Sequence, residues 1–288
     1  MSGQARRPFR EVEAERPAFD SGYGPHYTQV PEVNFQPGGG LNSLPYSEDF
    51  RPENAVWRGI DPTEHERSEV YKLMISAVTP RPIALLSTIS SLGQHNLAPY
   101  SLFNMVSASP PTLMISIQDN PNNPSGLKDS ALNILETKQF CVSIISEPLL
   151  EASHMTSMDL PPHLDEWKLS GLTKRASEIV KPPHVAESAF SMECTLDHYH
   201  QFVTDEGVKT NMVVFGRIKR FHAKEFLFDP SDPMKIRPEK LRPMARLGGL
   251  SYARSIQFCD LPRPSWERGK DDEAYQAAVG LGQGSSKM

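Results

Sequence analysis

Prolines fence the apolar stretches of this chain into pieces too short for long helices. From residue 80 to residue 121 they stand at 80, 82, 99, 110, 111 and 121. Proline lacks a backbone N–H and disfavours helical geometry in the residue before it, so a long helix across this region is excluded. What lies between the prolines is apolar and β-branched. Residues 83–89 read IALLSTI and are followed by Ser91-Leu92-Gly93-Gln94, a turn composition. Residues 96–104 resume as a strand-like segment, so the two runs are expected to form a hairpin. Residues 112–117 (TLMISI) form a further strand, bounded by Pro110-Pro111 and Asp119-Asn120-Pro121.

Strands are also expected at 140–145, 191–199 and 211–222. Only two internal segments read as helix. Residues 129–138 place Leu132, Ile134 and Leu135 near one face, with Asp129 or Ser130 as the cap. Residues 148–155 form a weaker case. Several strands with isolated helices indicate a mainly β chain with some α, a β-barrel or an α+β domain rather than a doubly wound sheet.

The two ends differ from the middle. Residues 1–54 are rich in Pro, Gly, Ser and charge, and bury too little apolar surface to offset their ordering entropy. They read as an extended arm whose aromatics (Phe19, Tyr23, Tyr27, Phe35, Tyr46) let it lie along its own domain or a partner subunit. Residues 55–264 form the globular part. Residues 265–288 are a tail with a short helix over 271–279 and a frayed end at 282–288.

The formal net charge is −5 without a long basic run, which argues against a nucleic-acid surface but leaves room for one small phosphorylated ligand. No apolar run is long enough to span a bilayer and the N-terminus does not read as a secretory signal, so a cytoplasmic protein is expected. Cys141, Cys194 and Cys259 are odd in number and lie among apolar or aromatic neighbours, which reads as buried reduced thiols.

No GxGxxG, Walker loop, HExxH or GxSxG occurs. His198 and His200 would share a strand face, as a metal pair could, but no third ligand accompanies them. What stands out is a series of polar residues where strands ought to be apolar: Arg81; Ser87 and Thr88; Asn96 through Asn104; then Lys128, Asp129, Ser130 and Asn133. A flavin mononucleotide (FMN) would suit them. Ala98, Pro99 and Ser101 are small or stiff enough for a flat ring to approach the backbone, and Lys128 with the start of a helix supplies a phosphate site. An ordinary helix start and a turn asparagine account for the same residues equally well.

Three blocks in order carry a resemblance: Arg81–Thr88 (RPIALLST), Asn96–Asn104 (NLAPYSLFN) and Ser109-Pro110-Pro111. Lys128-Asp129-Ser130, Asn133-Ile134, Lys181-Pro182-Pro183, Glu193-Cys194, Gly216-Arg217-Ile218 and residues 241–252 (LRPMARLGGLSY) continue it. Together they resemble the flavin reductase-like, FMN-binding split-barrel family over roughly residues 71–264. The resemblance implies an antiparallel split β-barrel with peripheral helices, a homodimer, and FMN held non-covalently near the dimer interface. It places Ser87 and Thr88 by the ribityl-phosphate chain, and Asn96, Ala98, Pro99, Tyr100, Ser101 and Asn104 along the ring system. Lys128 and Ser130, with Arg81, would hold the phosphate, and Asp129 and Asn133 complete the cofactor-binding set. Arg246 and Tyr252 resemble the late segment that approaches the flavin face, with a surface salt bridge and a core aromatic as their plain alternatives.

The implied function is an oxidoreductase passing electrons from a donor such as NAD(P)H through FMN to a small-molecule acceptor. One departure bears on the donor. Where many short members carry Asp-His before an apolar run ending in Gly, this chain has Thr210-Asn211 before Met212–Gly216. That leaves an FMN-binding electron carrier or binding module as the alternative. No acid–base residue is singled out; His154, His198 and His200 are the candidates, each with a structural reading beside it.

Overall fold

The proline-fenced runs become neighbouring strands of one sheet. In the computed structural model, which describes residues 8–54, 56–161 and 163–280, the central elements follow in this order. Helix α1 (Arg67–Ala77) precedes four strands, β1 (Ala84–Ile89), β2 (His95–Tyr100), β3 (Phe103–Ala108) and β4 (Pro111–Gln118). Helix α2 (Asp129–Thr137) and strand β5 (Gln139–Ile144) come next, followed by short helices α3 (Leu150–Met155) and α4 (Glu166–Ser170). The long strands β6 (Phe190–Val203) and β7 (Lys209–Ala223) complete the set.

The sheet order is β2-β1-β5-β6-β7-β4-β3, with every pair antiparallel. Its two outermost strands, β2 and β3, are joined by Ser101 and Leu102 alone. Laid flat, seven strands would put their edges about 29 Å apart, at about 4.8 Å per strand. The link from Tyr100 to Phe103 reaches about 11 Å at most. The sheet therefore has to curl on itself; the Ser116 N–H on β4 donates to the Leu102 carbonyl at 2.8 Å, which carries the β3–β4 pairing into the link itself. This is the antiparallel split barrel. The expected strand over 96–104 is thus two strands, broken at the turn between sheet edges.

Strand β1 shows why its sequence lacks alternation. Ala84 and Leu86 pack with Ile134 of α2, Phe140 and Val142, while Ile83 and Leu85 pack on the other side with Leu97, Ile145 and Trp167. Both faces are buried, so both must be apolar. Gly216 of β7 lies against the buried ring of Phe140; a Cβ there would fall within 3.1 Å of Phe140 Cε1 and closer still to Cζ.

A buried carboxylate pins the segment before β6. Glu193 has no exposed surface, and accepts from the main-chain N–H groups of Glu178 (2.8 Å), Ile179 (2.6 Å) and Val180 (2.9 Å), and from His222 Nε2 at 2.6 Å. Burial alone would raise its pKa, but these donors outweigh it and hold the carboxyl down to about 2.

A second, smaller sheet joins residues 81–82, 244–246 and 252–254, with Arg81 directly opposite Arg246. The described part of the N-terminal arm lies along its own chain: residues 26–27 pair in parallel with 257–258. Arg254 donates to the carbonyls of Asp20 (3.1 Å) and Tyr23 (2.8 Å) and stands over the Phe19 ring at 4.7 Å.

Three expectations need correction. Asp129 and Ser130 do not cap α2: Lys128 is the N-cap residue and makes no side-chain cap bond, because Asp129 is already inside the helix and accepts from Asn123 instead. Cys141 and Cys194 are buried, but Cys259 is exposed, since it follows the small strand at 257–258 outside both apolar clusters. Helix α1 has no counterpart among the expected elements; Val70, Leu73, Met74 and Ala77 fall on one face of it, yet none of its residues is buried. The tail helix spans Glu273–Ala278, and the frayed end expected at 282–288 lies outside the described residues. Among the described residues no helix is long and apolar enough to cross a membrane.

Candidate functional site

Strand β2 and the start of α2 face each other across a cavity of about 450 Å³. Asn96, Ala98, Pro99 and Tyr100 form one wall, and Lys128, Asp129 and Ser130 another. The loop at Asn120, Asn122 and Asn123, the segment 156–161 after α3, and Glu166 of α4 close the remaining sides. A smaller cavity of about 210 Å³ adjoins it, sharing Asn96, Asn123, Asp129 and Glu166.

Local sequence explains the walls. Asn120 and Asn123 fold their own loop, accepting from the N–H groups of Asn122 (3.1 Å) and Ser125 (3.2 Å), as turn asparagines do. Asp165 caps α4 through the Trp167 N–H at 2.9 Å, which sets Glu166 at the cavity edge with its carboxylate accepting from the Leu97 N–H at 3.3 Å. Behind the wall Asn96 Nδ2 donates to Ser130 Oγ at 2.8 Å, and Asn133 Nδ2 donates to Thr88 Oγ1 at 3.0 Å. Thr88 and Asn133 are buried and hold the strand to the helix rather than line the space.

The charge distribution is uneven. The Lys128 side chain is exposed and has no ion-pair or hydrogen-bond partner among the described residues, while its carbonyl accepts from the Ala131 and Leu132 N–H groups. Asp129 has its pKa raised, first by burial and then by nearby Asp159, against the lowering effect of Asn123. Glu166 is raised as well, mainly by burial. Burial pushes the Tyr100 phenol up to about 12, so it stays protonated as a donor.

Other expected residues lie elsewhere. Ser87 points to the opposite face of β1 from Thr88, and its buried hydroxyl has no partner in the structure. Asn104 is exposed on β3 and accepts from the Met105 N–H at 2.9 Å. Arg81 is 6% exposed, and its guanidinium staples main-chain carbonyls of Ile75 (2.6 Å), Val78 (2.8 Å) and Leu247 (3.0 Å), with a long contact to Ser101 Oγ at 3.5 Å. The Arg246 guanidinium lies over the Tyr252 ring at 4.4 Å, and the Tyr252 hydroxyl meets His154 Nδ1 at 3.1 Å. None of these lines the main cavity.

His198 bonds Asp197 at 2.8 Å and stacks on Phe215, while His200 contacts Phe202 edge-on. Among the described residues no three side chains are grouped to hold a metal. Thr210 and Asn211 bond within the β6–β7 hairpin and to Ser116 of β4. The residues the sequence reading missed are Asn120, Asn122, Asn123, Thr156, Ser157 and Glu166. The asparagines' only signal was the run DNPNNPSG, which reads as a turn, and Thr156, Ser157 and Glu166 carried none.

Comparison with known proteins gives three findings. Residues 76–234 match the flavin reductase like domain. An uncharacterized protein of Aquifex aeolicus is 37% identical over 198 residues, covering 69% of this chain and 96% of that protein. Among solved structures, nitrilotriacetate monooxygenase component B from Bacillus cereus is 32% identical with a TM-score of 0.65, covering 73% of this chain and 98% of the other. The 2-nitrobenzoate 2-nitroreductase of Pseudomonas fluorescens is 28% identical with a TM-score of 0.63, at the same coverages.

Proposed function

Because this chain belongs to the flavin reductase-like domain family, we propose that it binds FMN non-covalently in the 450 Å³ cavity and works as a flavin-dependent oxidoreductase. The observation that carries the reading is the meeting of two distant segments. Asn96–Tyr100 and Lys128–Ser130, noted in the sequence as flavin-like, share one cavity of the size small ligands occupy.

The donor set fits the ligand. Ala98 and Pro99 offer a low, stiff wall for a flat ring system. The amides of Asn96, Asn120 and Asn122 suit the ribityl hydroxyls. The Lys128 side chain, free of protein partners, and the first-turn N–H groups of α2 suit a phosphate. Bound flavin supplies the hydride and single-electron chemistry that side chains lack. The chain's own part is to orient the ring against β2, keep the Tyr100 phenol protonated beside it, and exclude water with the 156–161 segment.

The electron donor follows as NADH or NADPH on this reading. Thr210 and Asn211, committed to the β6–β7 hairpin and its neighbour β4, favour a second reading in which FMN carries electrons without pyridine-nucleotide turnover. The test is an absorption spectrum of the purified protein with mass analysis of what heat releases. Twin flavin bands and an FMN mass support the site, and a colourless protein that refuses added FMN removes it. Anaerobic bleaching of the flavin band by NADH or NADPH then separates the two readings.

A further inference from the structure

We infer that Arg246 forms an oxyanion subsite beside the flavin cavity, taking a carboxylate or phosphate group of the second substrate; this rests on the flavin reading above. The starting point is a pair of cations with no anion. Arg81 and Arg246 stand directly opposite each other on paired strands, and among the described residues neither has a carboxylate within ion-pair distance. Neighbouring arginines are treated differently: Arg242 and Arg254 both pair with Glu147, at 3.2 and 2.7 Å.

Arg81 spends its donors on neutral carbonyls. Its charge therefore stays in place, buried and unneutralised, next to Arg246. Burial is the main influence lowering the Arg81 pKa, and Arg246 adds to it. Arg246 is the accessible member. One of its guanidinium nitrogens donates to the Ser251 carbonyl at 3.1 Å, and its carbon lies over the Tyr252 ring, 4.4 Å from the centroid. A half-buried guanidinium held in this way, with donors beyond the one Ser251 takes, can receive a carboxylate or phosphate in a forked pair.

Two side-chain contacts tie the array to chain segments that line the cavity. Tyr252 reaches His154, two residues before Thr156 in the cavity wall. Arg81 contacts Ser101, the residue after Tyr100 in the opposite wall. With the flavin phosphate on Lys128, the cavity's other charged lining is acidic (Asp129, Asp159 and Glu166), so an anionic substituent of a second ligand is directed away from it, toward the arginines.

The test uses the full chain loaded with FMN and titrated calorimetrically with NADPH, NADH and benzoate. At least one should bind, and Arg246→Gln should weaken it about tenfold or more, the scale of a lost charge-assisted hydrogen bond, with FMN affinity unchanged. Arg246→Lys, which keeps the charge and loses the fork, should fall between. NADPH tighter than NADH marks a 2′-phosphate, equal binding of both marks the pyrophosphate, and benzoate alone marks a carboxylate substrate. The inference is overturned if none of the three binds, if Arg246→Gln binds them as well as the parent, or if FMN affinity falls in step. Failure of the parent protein to bind FMN at all would instead sink the flavin reading itself.

Discussion

Asn96 on β2 and Ser130 in the first turn of α2 hydrogen-bond at 2.8 Å, although 34 residues separate them. The Tyr100 hydroxyl meets Ser130 as well, and beneath them Asn133 of α2 donates to the buried Thr88 of β1 at 3.0 Å. The helix start is thereby fixed relative to the strand, so its N–H groups and Lys128 face a defined point.

Lys128→Ala should weaken FMN binding about tenfold while leaving riboflavin binding unchanged, since only FMN carries the phosphate. Fluorescence titration with both flavins checks this. An unchanged FMN dissociation constant would remove Lys128 from the site.

FMN affinity should rise relative to riboflavin as pH is lowered into the range where Asp129 and Glu166, held above their ordinary values, take up protons. Asp129 and Glu166 already have raised pKa values, chiefly from burial. An incoming phosphate raises them further, so FMN binding takes up protons and is favoured at lower pH. Riboflavin should show a flat profile. Parallel profiles for the two flavins would place the phosphate away from these carboxyls.

Glu193 ties acid stability to the loop before β6. Its folded pKa lies at about 2, below the ordinary 4.5. The stabilisation is therefore present above pH 4.5 and is lost as pH falls toward 2, and is on the order of 3 kcal/mol for a shift of this size. Glu193→Gln should cost a similar amount at neutral pH and flatten the acid limb of urea midpoint against pH.

Gly216→Ala should destabilise the chain by about 1–3 kcal/mol, the usual penalty for overfilling a tight core. The new methyl would meet the fully buried Phe140 ring. Adding Phe140→Leu should recover part of the loss, which thermal unfolding of both variants would show.

Light scattering should give about twice the 32.2 kDa chain mass. The homodimer is what the family resemblance implies, and the far end of β6 offers the exposed apolar side chains Phe202 and Val203 for it. Phe202→Asp should shift the population to monomer; a clean monomer from the FMN-loaded parent chain would overturn the dimer.

The strands were legible because prolines and turn residues bound apolar runs such as 83–89 and 112–117, and burial on both faces left those runs continuous. The break at Ser101-Leu102 was not, since no turn dipeptide marks it. Helix α1 was overlooked although Val70, Leu73, Met74 and Ala77 stand at helical spacing, a stripe that its own chain leaves uncovered. In the site, Asn96–Tyr100 and Lys128–Ser130 could be named, because small and polar residues in a strand are conspicuous. Glu166 and the Asn120–Asn123 loop could not. A glutamate in a first helical turn and asparagines in a turn are ordinary until the fold brings them to a shared wall.

The link between β2 and β3 has a mechanical consequence. Those strands are the sheet's two margins, yet only two residues keep them apart along the chain. Tyr100, the last cavity-lining residue of β2, abuts that link. Peeling β2 outward to widen the cavity would drag β3 with it, and slackening β3 would let β2 drift. The girth of the barrel and the aperture of the pocket are thus a single degree of freedom, and a residue inserted at Ser101-Leu102 would alter both at once.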